Sequence, residues 1–366
     1  MDIDRREPVQ LGDSTQWIRI RAAKAGSPLL LLVQMGPGLP MINEVPAYDR
    51  ALSLEDDFTV VYWDQRGCGR SLRSAGAARE LSLEAMTSDT ERLLALLCDR
   101  FDRPAVVTGF SMGATIAALA TARRPDLVAA LVTVGMDIDG PAIENNAYQF
   151  ALAAAHARNS RRAIRQLEAI GPPPHLEPRQ FATRGRWVAN FGGVRTGHTY
   201  NSMARGLLAS LLRSPDYSLA DTVRAFRGIT AAQAALLPEL ATLDLTHTLT
   251  RLNTPIVMAQ GRRDQVAPPS VAERYAELLE APGKQLVWFE RSARPHAPPR
   301  GARAVPAAAR AGPARPAGQN MTQAPCRVAQ AHCGLPGRTA GAHLRPLPQL
   351  NRRKSDPQFN HRRGVL

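Results

Sequence analysis

The stretch from residue 105 to residue 119 constrains the fold of this chain more than any other. It reads AVVTGFSMGATIAAL: an apolar strand, the pattern GFSMG, and a helix rich in small residues. A serine between two glycines at a strand-to-helix turn is lifted out of the sheet, because the glycines leave room for a strained backbone. The N–H groups at the start of the helix then favour a developing negative charge. The stretch predicts a nucleophilic Ser111; the alternative is an ordinary Gly/Ser turn with the same letters.

Apolar strands alternate with helical segments on both sides of this turn. We expect strands at 16–22 (the second half of a hairpin over 6–22), 29–33, 58–63, 127–134, 255–260 and 284–290, and helices at 82–101 and 269–279. Continuous apolar runs such as LLLLV at 29–33 are typical of parallel strands that are covered on both faces. The alternation predicts an α/β fold with a mostly parallel central sheet and helices on both faces.

The pattern changes between about residues 137 and 245, where helices are expected without strands. They are predicted at 144–158, 160–170, 178–190, 199–213 and 217–227. An insertion of this kind would lie over the carboxyl edge of the sheet. We therefore divide the chain into a core, 1–136 and 246–293, a helical cap or lid, 137–245, and a tail, 294–366. The tail is rich in Pro, Arg, Ala and Gly without an apolar period, so we expect it to be disordered.

The net charge of +14 is concentrated in that tail. Residues 294–366 hold thirteen basic side chains and one acid, which gives the tail +12 and leaves residues 1–293 with about +2. A nearly neutral body argues against a nucleic-acid-binding domain, so no specific nucleic-acid partner is expected.

Other features favour a cytoplasmic protein. No run of about 18 apolar residues could span a membrane. The first residues lack the apolar core of a signal peptide. The four cysteines show no metal-ligand spacing. We expect no membrane partner, no metal and no cofactor.

Three motifs resemble those of the α/β-hydrolase superfamily, within it the proline iminopeptidase-like branch. MGPG at 35–38 is similar to the branch's HGGPG loop, WDQRGCGRS at 63–71 matches W-D-Q-R-G-x-G-x-S, and GFSMG is its G-x-S-x-G elbow. Their order and spacing agree along roughly residues 8–293, and the W-D-Q-R-G stretch is the most specific of the three. The resemblance implies an α/β-hydrolase fold with an inserted helical cap.

The resemblance also implies roles for individual residues. Ser111 is the nucleophile that attacks an acyl carbon. The N–H of Met112, with that of Met35 or Gly36, forms the oxyanion hole. Asp264, in GRRDQVAP after the strand at 255–260, has the position of the triad acid in the chain order Ser, Asp, His.

The chain differs from the family motif at two positions of the loop at 34–38, and two of the assigned roles have alternatives. Gln34 and Met35 replace the His and Gly of the family loop, which changes the loop geometry and the size of the pocket. The residues alone also allow an ordinary Gly-Pro turn for this loop and a helix-capping role for Asp264. Asp64 and Arg66 are expected to brace the loops rather than to take part in chemistry.

The catalytic histidine is the weakest point of the resemblance. The family carries it in a Ser-Gly/Ala-His sequence after the last strand, whereas here Ser292 and Ala293 are followed by Arg294, and His296 is the nearest imidazole. We therefore take His296 as a stand-in for a histidine expected near position 294. The histidines at 156, 175, 198 and 247 fall within or beside the cap and are poor candidates.

A shifted reading frame would explain the displaced histidine. Sliding the codons by one base from about residue 293 permits His-x-Pro-Met, followed by Glu-Glu-Pro-x-x-Phe, which is similar to what the family carries there. The competing hypotheses are a genuine disordered basic tail and a tail in which His296 serves as the base. Without a positioned imidazole, the chain as written is expected to be weakly active or inactive.

The expected function is that of a serine hydrolase of the prolyl aminopeptidase type. It would release an N-terminal residue, proline first, from small peptides or amides, with an acidic cap residue, for which Glu144 is a guess, holding the free amine. One alternative is an esterase or amidase acting on small molecules. Another is an inactive pseudo-hydrolase whose basic tail binds anionic partners. The oligomeric state is not predicted.

Overall fold

The computed structural model describes residues 1–73, 81–290 and 293 of the chain. The strands are β1 (Ile3–Leu11), β2 (Ser14–Ala22), β3 (Leu29–Val33), β4 (Thr59–Asp64), β5 (Ala105–Phe110), β6 (Val128–Val134), β7 (Ile256–Gly261) and β8 (Lys284–Phe289). They form one eight-stranded sheet in the order β1-β2-β4-β3-β5-β6-β7-β8. β1 pairs antiparallel with β2, and β2 with β4, while every other pair is parallel. The predicted mostly parallel sheet is confirmed.

Helices cover both faces of this sheet. They include α1 (Val45–Leu52), α2 (Leu83–Phe101), α3 (Met112–Arg123) and α10 (Pro269–Leu278). Alternate residues of β3 enter two different apolar clusters: Leu31 lies in the cluster with α2, α3 and α10, and Leu32 in the cluster with α1. Because successive side chains of a strand point to opposite faces, both faces of β3 are buried. This double burial is why the strand is apolar at every position.

Six helices follow between β6 and β7. They are α4 (Gly140–Ala157), α5 (Arg161–Ile170), α6 (Pro178–Asn190), α7 (Tyr200–Arg213), α8 (Leu219–Ala241) and α9 (Leu245–Thr248). The prediction of a helix ending at 227 was wrong, because α8 continues to Ala241 through Pro238. Its buried face carries on past that point with Gly228, Ala232 and Leu236. Packing along this face outweighs the local signals that would end a helix.

Helix α8 lies against the loops at the carboxyl ends of β3 and β4. A Cβ atom at Gly228 would meet the Gly67 carbonyl oxygen at 2.6 Å, and one at Gly38 would meet the Ile229 Cα at 2.8 Å. The backbones therefore touch where no side chain fits. Among the described residues, no helix combines the length and apolarity that a membrane crossing needs. The predicted tail, 294–366, and His296 within it lie outside the described residues.

Candidate active site

The GFSMG turn joins β5 to α3 and holds Ser111 in a strained conformation. Ser111 has φ 54° and ψ −127°, a backbone conformation that costs a non-glycine residue about 1–3 kcal/mol. A Cβ at Gly109 would meet the Ala114 Cα at 2.4 Å, and one at Gly113 would meet the Gln34 carbonyl oxygen at 2.2 Å. Both glycines are therefore required, and the strand, turn and helix follow one another as the sequence predicts.

Ser111 lies at the centre of the carboxyl edge of the sheet, with 5% of its surface exposed. Its N–H donates to the Val134 carbonyl oxygen at the end of β6 (2.9 Å). Its Oγ lies 3.1 Å from Oδ2 and 3.3 Å from Oδ1 of Asp137, on the loop after β6. The motifs in the sequence do not predict Asp137 at this position. It reaches Ser111 because β6 lies next to β5, so that the loop after β6 falls at the same edge of the sheet as the elbow.

The loop after β3 packs directly on the elbow. A Cβ at Gly36 would meet the Met112 Cε at 2.2 Å, so two of the residues predicted for the oxyanion hole are neighbours. The third is differently engaged: the Met35 N–H donates to Oε1 of Gln34 at 2.8 Å. The Nε2 of Gln34 donates to the Pro40 carbonyl oxygen at 3.0 Å. Gln34, which replaces the family's histidine, thus closes the loop on itself.

Asp264 is fully buried in the loop after β7. Its Oδ1 accepts the N–H groups of Val266 (2.8 Å) and Ala267 (2.9 Å), just before α10 begins at Pro269. One strand, β6, separates β7 from the elbow strand β5, so Asp264 and Ser111 belong to the same edge of the sheet. These hydrogen bonds agree with the alternative that Asp264 caps the turn before α10. The role of Asp264 as the triad acid stays a prediction.

Asp64 ties three segments together beneath the site. It is fully buried and accepts the N–H groups of Met41 (2.9 Å), Ile42 (3.0 Å) and Arg70 (2.8 Å), together with the Tyr217 hydroxyl. Burial raises the pKa of the Asp64 carboxyl, and these hydrogen bonds act in the opposite direction. The contacts join the loop after β3, the loop after β4 and the segment between α7 and α8.

Arg66 braces a different part of the same loop. Its Nε and one terminal nitrogen bond the buried Asp89 on α2 at 2.8 and 2.9 Å, and it also bonds Asp13 at 2.7 Å. These hydrogen bonds raise the pKa of the guanidinium further above its ordinary value. Asp64 and Arg66 therefore both brace the loop after β4. They do so through different partners and do not pair with each other in these contacts.

Glu144 sits in a buried cluster of the helical segment. Its Oε1 lies 2.7 Å from a guanidinium nitrogen of Arg184, and its Oε2 accepts the His175 N–H at 3.0 Å. The His175 ring completes the cluster, with Nδ1 3.1 Å from Arg184, and burial lowers the pKa of both side chains. Glu144 therefore joins α4 to α6 through Oε1 and to the segment before α6 through Oε2. The guess that Glu144 holds a substrate amine is not supported by these contacts.

The remaining observations concern His247 and metal binding. His247 has an 82% exposed side chain and pairs with Asp244 at 2.7 Å, on the surface of the protein. Within residues 1–73, 81–290 and 293, no cluster of three or more His, Cys, Asp or Glu side chains forms a candidate metal site.

Comparison with known proteins places this architecture in a family. Residues 51–293 match the profile described as "Serine aminopeptidase, S33". The chain belongs to this family. The S33 family member is 27% identical over 290 residues to the probable aminopeptidase YbaC of Bacillus subtilis, a match that covers 79% of this chain and 90% of the relative. The expected α/β-hydrolase of aminopeptidase type is confirmed at the level of the family.

Solved structures share the fold of this S33 family member. The proline iminopeptidase-related protein of Thermus thermophilus superposes with a TM-score of 0.55 at 21% identity, covering 80% of this chain and 90% of that one. Proline iminopeptidase of Mycobacterium smegmatis superposes with a TM-score of 0.55 at 19% identity, covering 79% and 91%. These likenesses establish the α/β-hydrolase fold that the motifs imply.

Proposed function

We propose that this chain is a serine hydrolase that releases the N-terminal residue, proline first, from small peptides and amides through an acyl-enzyme. The observation that carries the proposal is the conformation of Ser111. A serine held at φ 54° between β5 and α3, where no local sequence preference would place it, is a sign of strain retained for function. The membership in a serine aminopeptidase family supports the same reading.

The proposed reaction begins with attack of the Ser111 Oγ on the carbonyl carbon of the substrate. The negative charge on the tetrahedral intermediate is stabilised by the N–H groups of Met112 and Gly36, whose residues lie in contact, and by the N-terminal end of α3. Met35 is a less suitable donor, because its N–H already bonds Gln34. The amine leaves with a proton, and water then hydrolyses the ester on Ser111.

A general base must take the Ser111 proton and pass it to the leaving amine. We assign this role to the imidazole that follows β8, namely His296 in the chain as written or the histidine near position 294 that a shifted frame would supply. Asp264 would hold the tautomer and orientation of that imidazole. Both histidine positions lie outside the described residues.

The substrate assignment rests on two supports. The relative from Bacillus subtilis is named a probable aminopeptidase, which favours an amide with a free N-terminus. The preference for proline comes from the resemblance of residues 63–71 to the W-D-Q-R-G-x-G-x-S motif of the proline iminopeptidase-like branch. An esterase would share the nucleophile and the oxyanion donors and would differ only in the pocket that receives the substrate.

Labelling with a fluorophosphonate probe tests the nucleophile. The probe is applied to the chain as written and to the chain with the shifted frame, because a serine without its imidazole loses its activator. We expect mass spectrometry to find the probe on Ser111 of the shifted-frame chain, and Ser111→Ala to abolish labelling there, whereas Ser270→Ala, an exposed serine at the start of α10, should leave labelling unchanged. Turnover of proline and alanine p-nitroanilides and of p-nitrophenyl acetate then separates an aminopeptidase from an esterase. No labelling, together with salt-dependent retention on DNA, would favour the non-catalytic alternative.

A further inference from the structure

The loop after β6 directs two carboxylates to different partners. Asp139 turns towards α4 and α10, where its Oδ1 accepts the Ala142 N–H (2.9 Å) and its Oδ2 pairs with Arg274 (3.0 Å). Asp137, two residues earlier, presents its carboxylate to the Ser111 Oγ at 3.1 and 3.3 Å. Asp139 thus joins this loop to α4 and α10, and the carboxylate of Asp137 lies against the reacting atom.

The position of Asp137 is fixed by the backbone around it. The Thr115 hydroxyl on α3 donates to the Asp137 carbonyl oxygen at 2.5 Å. On either side, the Gly135 N–H donates to the Ala259 carbonyl oxygen (3.0 Å), and the Ile138 carbonyl oxygen accepts the Leu245 N–H (2.8 Å). The loop is held by α3, β7 and α9, so the carboxylate is presented by a rigid part of the fold.

A carboxylate at this distance has an electrostatic consequence for catalysis. When Ser111 attacks, negative charge develops on the substrate oxygen, and a second negative charge a few ångströms away opposes it. The opposition disappears if the substrate itself brings a cation to Asp137. An aminopeptidase substrate carries such a cation, because the N-terminal amine is protonated at neutral pH.

The covalent geometry of an amino acid puts its amine within reach. The amine nitrogen is about 2.5 Å from the carbonyl carbon of the same residue, and reacting atoms are about 3–3.5 Å apart before attack. The amine therefore lies within about 6 Å of the Ser111 Oγ when the substrate is bound. A carboxylate 3.1 Å from that Oγ can accept a charge-assisted hydrogen bond from an amine at such a distance.

We propose that Asp137 binds the free α-ammonium group of the substrate and so selects unblocked N-termini, an inference whose choice of ligand rests on the proposed function. Asp137 is then a specificity-determining residue at the carboxyl edge of the sheet, while Glu144 in the helical segment stays with Arg184 and His175. Ligands whose amine is acylated gain nothing from this carboxylate, and ligands with a negative group beside the carbonyl are repelled by it.

Equilibrium binding tests this proposal without requiring turnover. L-Prolinamide and N-acetyl-L-prolinamide are titrated into the full chain by ligand-observed NMR, and the same spectra show whether either amide is hydrolysed during the titration. We expect the wild type to bind L-prolinamide at least about tenfold more tightly, and Asp137→Asn to remove that preference, because a hydrogen bond to a charged group is lost. Asp139→Asn, with the same change of charge two residues away, should retain it.

The outcomes also separate this proposal from the proposed function. Equal binding of the two amides by the wild type, or an unchanged preference in Asp137→Asn, overturns the role of Asp137 even if Ser111 is labelled by the probe. An amine preference that depends on Asp137, with Ser111 unlabelled both in the chain as written and in the chain with the shifted frame, would uphold the site and overturn the nucleophile. If Asp137→Asn fails to fold by circular dichroism, Asp137→Glu, which keeps the charge, must retain the preference.

Discussion

Gln34 stands where the family loop that packs on the nucleophile has a histidine. The side chain is 5% exposed and makes two hydrogen bonds, from the Met35 N–H to Oε1 and from Nε2 to the Pro40 carbonyl oxygen. An amide can do both because it has a donor and an acceptor at one end. Gln34 therefore closes the loop that packs on the nucleophile and engages one backbone N–H of that loop.

Replacing Gln34 with alanine is expected to destabilise the protein. The variant leaves a buried N–H and a buried carbonyl without their partner, which costs about 1–3 kcal/mol of unfolding free energy. Urea unfolding measures the loss. Gln10→Ala is the matched control, because the exposed Gln10 makes the same kinds of hydrogen bond at the surface and its loss should cost less than about 0.5 kcal/mol. Equal effects of the two substitutions would show that the closed loop contributes nothing.

At the scale of the element, α3 reaches the sheet because its second residue, Gly113, is a glycine. A Cβ at Gly113 would meet the Gln34 and Val33 carbonyl oxygens at 2.2 and 2.5 Å, whereas one at Gly206, within α7, would meet nothing within 4 Å. We expect Gly113→Ala to lower the unfolding free energy by about 2 kcal/mol or more, since backbone must move. We expect Gly206→Ala to raise it by about 0.5–1 kcal/mol, since alanine favours helix. Thermal unfolding of both variants checks the two signs, and a stable Gly113→Ala would contradict the close approach.

The strands and helices could be predicted from the sequence where their buried residues form a simple apolar pattern. β3 and α6 have the predicted bounds, because one is apolar throughout and the other begins at a proline and has apolar residues at helical spacing. α1 was missed, since its eight residues include Pro46 and only Val45 and Tyr48 are buried. Asp137 was missed for another reason: nothing in its local sequence marks it, and only the order of strands in the sheet brings it to Ser111.

In the candidate site, contacts marked by glycines in the motifs could be predicted from the sequence, whereas side-chain pairings could not. The motifs predict the contact between Gly36 and Met112, because a glycine in a motif often marks a place where another part of the protein, here the Met112 side chain, approaches the backbone closely. The hydrogen bond from the Met35 N–H to Gln34 depends on the rotamer of the Gln34 side chain. The ion pair of Glu144 with Arg184 joins residues that are distant in the chain. Such pairings leave no periodicity in a sequence, so no pattern of spacing could have indicated them.

At the scale of the whole molecule, the chain has two chemically distinct parts. Residues 1–293 carry about +2 and hold Ser111, Asp137 and Asp264, while residues 294–366 carry +12. The proposed mechanism needs an imidazole from the start of that second part, where the chain as written has Arg294 and then His296. The nucleophile, the oxyanion donors and the acid are thus all proposed in the first part, and the base alone depends on the reading frame.

Shifting the frame by one base at about codon 293 is expected to raise kcat/KM for proline p-nitroanilide by about 10³-fold or more, because a serine without its imidazole loses its activator. Both chains are assayed side by side, with Ser111→Ala in each to define the background. If the chain as written already turns over as fast, the frame is genuine, and His296→Ala then decides whether His296 is the base. A large loss in that variant identifies it, and an unchanged rate would overturn the assignment of the base to the segment after β8.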